Sequence, residues 1–131
     1  MKIILSIDDS EVILLLSKKS IEEIGYKSLS SDNGYVGLKL LKENFQDIVA
    51  IVIDWHMLAM PGEELLSEIR SVKEYDHIPI LILSADGGKE MISSAIEKGA
   101  DGYLLKPFSI KDYQKRVMEC ISSNKRTKGN T

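Results

Sequence analysis

The run Ile48-Val49-Ala50-Ile51-Val52-Ile53 holds no polar residue and stops on a carboxylate, Asp54. A stretch this rich in isoleucine and valine, without Gly or Pro, has the pattern of a strand covered on both faces, the environment of a parallel sheet packed between helices. An ionised Asp is seldom left fully inside, so Asp54 is expected where the strand surfaces, at its C-terminal edge. The same punctuation recurs along the chain. Ile3-Ile4-Leu5-Ser6-Ile7 ends on Asp8-Asp9, the run from Ile78 to Leu83 ends on Ser84, and Tyr103-Leu104-Leu105 ends on Lys106. In an open parallel α/β sheet all strand C-termini emerge along one edge, where ligands bind. Three acids, a hydroxyl and a lysine are therefore expected in one pocket.

The intervening segments have helical spacing and helical punctuation. After a first strand over about 2–7, Ser10 is a candidate N-cap for a helix carrying Val12, Ile13, Leu16, Ile21 and Ile24, closed by Gly25. Tyr26 to Ser30 is less apolar than the other strands, which suits an edge position. Asp32-Asn33-Gly34 supplies turn and cap chemistry ahead of a helix bearing Leu38, Leu41 and Phe45. Trp55 to Gly62 reads as a loop, with Trp55 expected partly exposed beside the pocket and Pro61 at the entrance to a helix striped by Leu65, Leu66, Ile69 and Val72. His77 falls in a turn before the fourth strand, Ile78 to Leu83, where Pro79 is tolerable near the start. Glu90 to Lys98 forms a short helix, ended by Gly99, with a thin apolar stripe of Met91, Ile92, Ala95 and Ile96. Few apolar anchors make it a candidate moving part. Gly102 to Leu105 is the fifth strand, and Ser109 with Asp112 suggests a capping box for a last helix striped by Ile110, Tyr113, Val117, Cys120 and Ile121. Strands alternating with helices imply right-handed crossovers and a doubly wound α/β sandwich of three layers.

At 131 residues the chain is about one domain. It is expected to consist of a folded body over 1–122 and a polar, basic, mobile tail over 123–131. The net charge is −3, and because Lys125, Arg126 and Lys128 all lie in that tail, the body without those three cations carries −6. So acidic a body argues against nucleic acid as a direct partner. No apolar run approaches the roughly 18 residues of a membrane span, and the N-terminal run is interrupted by Asp8-Asp9 too early for the core of a signal peptide. The single cysteine, Cys120, sits in a helical apolar stripe and is expected to be packing, in keeping with a reducing cytoplasm.

Carboxylates at Asp8, Asp9 and Asp54 crowded to about 4–5 Å would repel by roughly 4 kcal/mol per pair at an effective dielectric near 20, so the cluster calls for a proton or a cation. Oxygen donors without a Cys or His set favour a hard ion, Mg²⁺ above all, over zinc. Lys106 and the Ser84 hydroxyl opposite such an ion suit phosphoryl oxygens. Neither a G-x-x-x-x-G-K-[ST] nor a G-x-G-x-x-G loop is present to hold a nucleotide. The phosphoryl group is then carried by the protein, and Asp54 is the acid placed to accept it as an acyl phosphate.

An acidic pair after the first strand, an acid after the third, a Ser after the fourth and Lys-Pro after the fifth make the chain resemble the receiver domains of two-component response regulators, over residues 1 to about 122 and in the single-domain chemotaxis style. The resemblance implies a flavodoxin-like sheet in the order 2-1-3-4-5. It implies that Asp9 binds Mg²⁺ directly, that Asp8 assists through water, that Asp54 is both ligand and phosphoacceptor, and that the His56 backbone carbonyl is a further ligand. It also implies that Ser84 closes on the phosphoryl group, that Lys106 pairs with it, and that Tyr103 turns inward with Ser84 to remodel the surface of the fourth helix, fifth strand and fifth helix. Pro107 would follow a cis bond. The implied partners are a histidine kinase or phosphotransfer protein and a downstream protein target, with a phosphorylation-dependent homodimer also admitted. Two departures stand out. Leu58 occupies the position usually held by Pro, with Pro61 three residues on, and His56 and Asp86 fill the positions that tune acyl-phosphate lifetime, where they are expected to pair above the site and slow hydrolysis.

Two other functions use parts of this pattern. A phosphatase of the haloacid dehalogenase type also has a strand-end Asp nucleophile with Mg²⁺, but it needs a second Asp where this chain has His56. A receiver that binds partners constitutively would have no need of the five side chains found here.

Overall fold

The computed structural model describes residues 1–124; the part of the tail expected to be mobile beyond Asn124 lies outside the described residues. The strands are β1 (Ile3–Ile7), β2 (Lys27–Ser31), β3 (Ile48–Asp54), β4 (Ile80–Ser84) and β5 (Gly102–Leu105), and the helices are α1 (Glu11–Glu23), α2 (Gly34–Asn44), α3 (Gly62–Arg70), α4 (Lys89–Glu97) and α5 (Ile110–Ser122). All strand pairs are parallel and the sheet order is β2-β1-β3-β4-β5, as the resemblance implied.

The alternation of side chains along each strand divides the core in two. Ile3, Leu5, Ile7, Ile51, Ile53, Ile80 and Ile82 pack on one face with Leu41 of α2, Leu65, Leu66 and Ile69 of α3 and Ala95 of α4. Ile4, Ala50, Val52, Leu81, Leu83 and Leu104 pack on the other with Ile21 of α1 and with Tyr113, Val117 and Cys120 of α5. Edge strand β2 is polar and half-exposed for most of its length, as its composition suggested.

The helix ends follow the expected cap chemistry. The side chains of Ser10 and Asn33 accept the backbone N–H groups of Ile13 and Val36, and Ser109 with Asp112 completes a capping box. Gly25, which closes α1, has a φ of +92°, a conformation that costs any other residue.

Two expectations are corrected. The fourth strand begins at Ile80, not Ile78, because the Ile78 N–H is drawn back to the Tyr75 carbonyl at 3.1 Å and Pro79 has no N–H to give to a ladder. Trp55 is buried, not partly exposed, with only 8% of its surface accessible. The loop after β3 folds inward, so that Met57 and Met60 also join the core.

Gly62 fastens that loop. Its N–H donates to the Trp55 carbonyl at 3.0 Å, and a Cβ there would lie 2.5 Å from the Asp54 carbonyl oxygen and 2.6 Å from the Trp55 Cα. Both obstacles are backbone, so no side chain can give way. Gly62→Ala is expected to cost about 2–4 kcal/mol of stability, read from urea unfolding followed by circular dichroism; a loss under 1 kcal/mol would mean that the loop has room the packing denies.

Candidate functional site

The pocket follows from the same alternation. Ile4 and Ser6 face the α1/α5 side, so Asp8, one residue beyond β1, faces it too; Val52 sets the same direction for Asp54, and Leu104 for Lys106. Asp8, Asp9 and Asp54 each bring a carboxylate oxygen to within 4.8 Å of the others. Lys106 Nζ lies 3.2 Å from Asp54 Oδ1 and 3.4 Å from Asp8 Oδ2. Asp8 and Asp54 are buried, whereas Asp9 is exposed. Acids from the ends of neighbouring strands β1 and β3 therefore share one ammonium group from the end of β5.

Backbone donors hold the carboxylates in place. Asp8 Oδ1 accepts the Ser10 N–H at 2.9 Å, Asp54 Oδ1 accepts the His56 N–H at 3.3 Å, and Asp9 Oδ2 accepts the Leu58 N–H at 3.3 Å. Burial raises the Asp8 carboxyl to a pKa of about 6. The Ser10 hydrogen bond and Lys106 pull it down, and the charge on Asp54 adds to the rise. The cluster offers oxygen donors only, which suits Mg²⁺ and similar hard cations and gives zinc no soft or imidazole ligand.

A family model, the response regulator receiver domain, matches residues 4–118. The chain belongs to the response regulator receiver family. It is 35% identical over 107 residues to the chemotaxis protein CheY-3 of Vibrio cholerae, with 81% of each chain covered. To the chemotaxis protein CheY homolog of Campylobacter jejuni it is 27% identical over 121 residues, with 92% of each covered. Among solved structures, CheY4 of Vibrio cholerae superposes with a TM-score of 0.86 at 26% identity, covering 92% of this chain and 98% of that one. The receiver domain of the Francisella response regulator 1452 superposes with a TM-score of 0.84 at 32% identity, covering 95% and 100%. The likeness is thus to the single-domain chemotaxis type, whose members are phosphoacceptor switches rather than conventional enzymes.

In this receiver the remaining expected residues lie around the pocket's rim and behind it. The Lys106–Pro107 peptide bond is cis. Ser84 is fully buried, and its hydroxyl accepts the Asp86 N–H at 2.9 Å, lies 3.2 Å from the Asp86 carbonyl and 3.3 Å from His56 Nε2. The expected pairing of His56 with Asp86 is not formed. Ser84 Oγ intercepts the imidazole, and Asp86 Oδ1 is taken by the Gly88 N–H at 2.9 Å. Leu58, in place of the usual Pro, stands almost wholly in solvent at 97% exposure, and it keeps the N–H that reaches Asp9. Proline there could not donate that bond.

Tyr103 is half-buried and packs on the α4 side of the sheet. Sequence reasoning missed its neighbour. Arg116 of α5 lies over the Tyr103 ring, 5.6 Å from its centroid, and donates Nη1–H to the Tyr103 carbonyl at 2.9 Å. A solvent-side arginine in an amphipathic helix gives no local sign of such a contact.

The raised Asp8 carboxyl carries a sign for stability. The folded protein holds that proton more tightly than the unfolded chain, so stability falls as pH rises from about 4 through 6. Asp8→Asn, measured without added divalent cation, is expected to be more stable than the parent by about 1–3 kcal/mol at pH 7, with the difference shrinking toward pH 4. Equal unfolding midpoints at pH 7 would show that Lys106 fully offsets the burial.

Proposed function

We propose that the chain is the phosphoacceptor of a two-component phosphorelay, with Asp54 taking a phosphoryl group from a histidine kinase or phosphotransfer protein in the cytoplasm. The observation that carries this is the meeting of Asp8, Asp9 and Asp54 within 4.8 Å, with Lys106 Nζ against two of them. In the transfer an Asp54 carboxylate oxygen attacks phosphorus, the donor's P–N bond breaks, and the imidazole leaves with its ring nitrogen free for a proton. Mg²⁺, held by Asp9, Asp54, the His56 carbonyl and, through water, Asp8, would neutralise charge developing on the phosphoryl oxygens.

The chain's own groups do the rest. Lys106 already contacts Asp54 and is placed to follow the acyl phosphate as it forms. The backbone N–H of His56 orients the Asp54 carboxylate. Ser84, turned toward the Asp86 backbone here, would turn to the phosphoryl oxygens, with Tyr103 following and the α4/β5/α5 surface presented to a downstream protein changing as a result. A phosphorylation-dependent homodimer would use the same means. His56 stands where a haloacid dehalogenase phosphatase needs its second Asp, which disfavours catalytic turnover of free phosphoesters.

Acetyl phosphate with Mg²⁺, followed by intact mass, is expected to add one phosphoryl group, and neither Asp54→Ala nor a sample kept in chelator should gain it. Phosphorylation that survives Asp54→Ala would end this assignment. His56 screens the site's rim from its contact with Ser84, so His56→Asn is expected to shorten the phosphoryl lifetime by roughly threefold to tenfold, equivalent to about 1 kcal/mol of barrier, as followed by the same mass measurement over time. An unchanged lifetime would remove His56 from the list of tuning residues.

A further inference from the structure

A backbone N–H holds each of the three pocket carboxylates, but the ammonium group reaches two. Asp8 and Asp54 are buried and lie 3.4 and 3.2 Å from Lys106 Nζ. Asp9 is exposed, and among the described residues its carboxylate is oriented by the N–H of Leu58, which comes from the loop after β3, 49 positions on in sequence. The Leu58 side chain has no part in packing. It stands in solvent at 97% exposure, while Met57 and Met60 on either side are sunk into the core at 7% and 4%. Met60 also lies against α2, so closely that a Cβ on Gly34 would come 2.7 Å from Met60 Sδ. Since Gly62 closes the same loop on the Trp55 carbonyl at 3.0 Å, the Leu58 N–H is a donor held in place from both flanks.

We propose that the Leu58 N–H is a positioning group for the cation site, fixing the Asp9 carboxylate within reach of Asp8 and Asp54 before an ion arrives. An exposed Asp with no such bond must give up its rotamer freedom when it takes an ion, whereas a bonded one has already given it up. One N–H on Oδ2 does not exhaust the carboxylate, which has about four lone-pair sites. The bond also ties the turn after β1 to the loop after β3, so it sets Asp9 against the His56 peptide two residues before Leu58. Removing hydrogen bonds that orient metal ligands costs roughly 10–100-fold in affinity, and a single bond to an exposed carboxylate belongs at the low end of that range. Leu58 stands where the resemblance leads one to expect Pro, which has no N–H to give, so the bond is a property of this chain's own sequence. The inference rests on the reading of the acids as a Mg²⁺ site and deepens it.

Titration of the full chain with Mg²⁺, followed through its backbone amide resonances, tests this. Leu58→Pro is expected to bind about threefold to tenfold more weakly than the parent, and Leu58→Ala, which keeps the N–H, to restore the parent's affinity. Because Pro also restrains the backbone, the same titration is made on a chain with an ester in place of the Leu58 amide, which removes the N–H alone and should lose the same factor. A parent and ester chain of equal affinity overturn the positioning role and leave the cation site standing, as does a Leu58→Ala chain as weak as Leu58→Pro. A parent with no saturable response to Mg²⁺ overturns the cation site, and the positioning role with it. A readout without metal checks the bond itself. In chelator, Asp9→Ala is expected to speed hydrogen exchange of the Leu58 amide about threefold or more, and an unchanged rate overturns the bond.

Discussion

The site rests on an imbalance of charge that the strand period enforces. Once Ser6, Val52 and Leu104 are fixed toward α1 and α5, Asp8, Asp54 and Lys106 have no other direction to take, whereas Asp9 lies past the strand, in the turn into α1, with its carboxylate on the Leu58 N–H. Three carboxylates then face one ammonium group. Lys106 reaches Asp8 and Asp54 but, among the described residues, leaves Asp9 to the backbone N–H of Leu58. The residual negative charge in a partly desolvated pocket suits a hard cation, and the same desolvation is the main cause that raises Asp8, with the Asp54 charge adding to it.

Strand order supplies the second half of the argument. β1 and β3 are neighbours in the middle of the sheet although they are not neighbours in sequence, and the two acids of the pair lie across the point where the chain winds in opposite directions. At such a point the helices on the two faces diverge and leave an opening at the strand ends. β4 and β5 extend the row and bring Ser84 and Lys106, while β2, on the far side of β1, brings no charged site residue and is the most polar strand. The apolar runs that announced the strands are the same runs that hold mutually repelling acids in register, since each is pinned by packing on both of its faces.

Most of this was legible in the sequence because it depends on local period and on what stops each run. The three-layer α/β sandwich, the caps at Ser10, Asn33 and Ser109, and the gathering of Asp8, Asp9, Asp54 and Lys106 all come from such signals, whereas the strand order came with the resemblance to receiver domains. The misses are contacts made at a distance. Trp55 follows a strand end in a segment with loop composition, and nothing local says that Gly62 will draw the loop back until Trp55, Met57 and Met60 are covered. His56 and Asp86 each stand two residues past the end of adjacent strands, which puts them near each other, but the Ser84 hydroxyl lies between and takes the imidazole. Pro79 shortened β4 because an apolar run records burial, not whether an N–H is free to join a ladder.

The two helices that flank the Tyr103 surface are anchored unequally, and this gives any displacement at Ser84 a direction. α5 starts from a capping box and buries Tyr113, Val117 and Cys120. α4 starts after Gly87-Gly88 with no side-chain cap and fully buries only Ala95. Ser84 is bonded to the backbone that leads into α4, and Tyr103, on the same face of the sheet, is held from the other side by Arg116 of α5. If Ser84 gives up the Asp86 backbone for a new partner at Asp54, the bonds broken belong to the segment entering α4, while the clasp on Tyr103 belongs to the firmly seated helix. The compliant element is therefore α4, and Arg116 provides the fixed reference against which its movement, and that of the Tyr103 ring, would alter the surface.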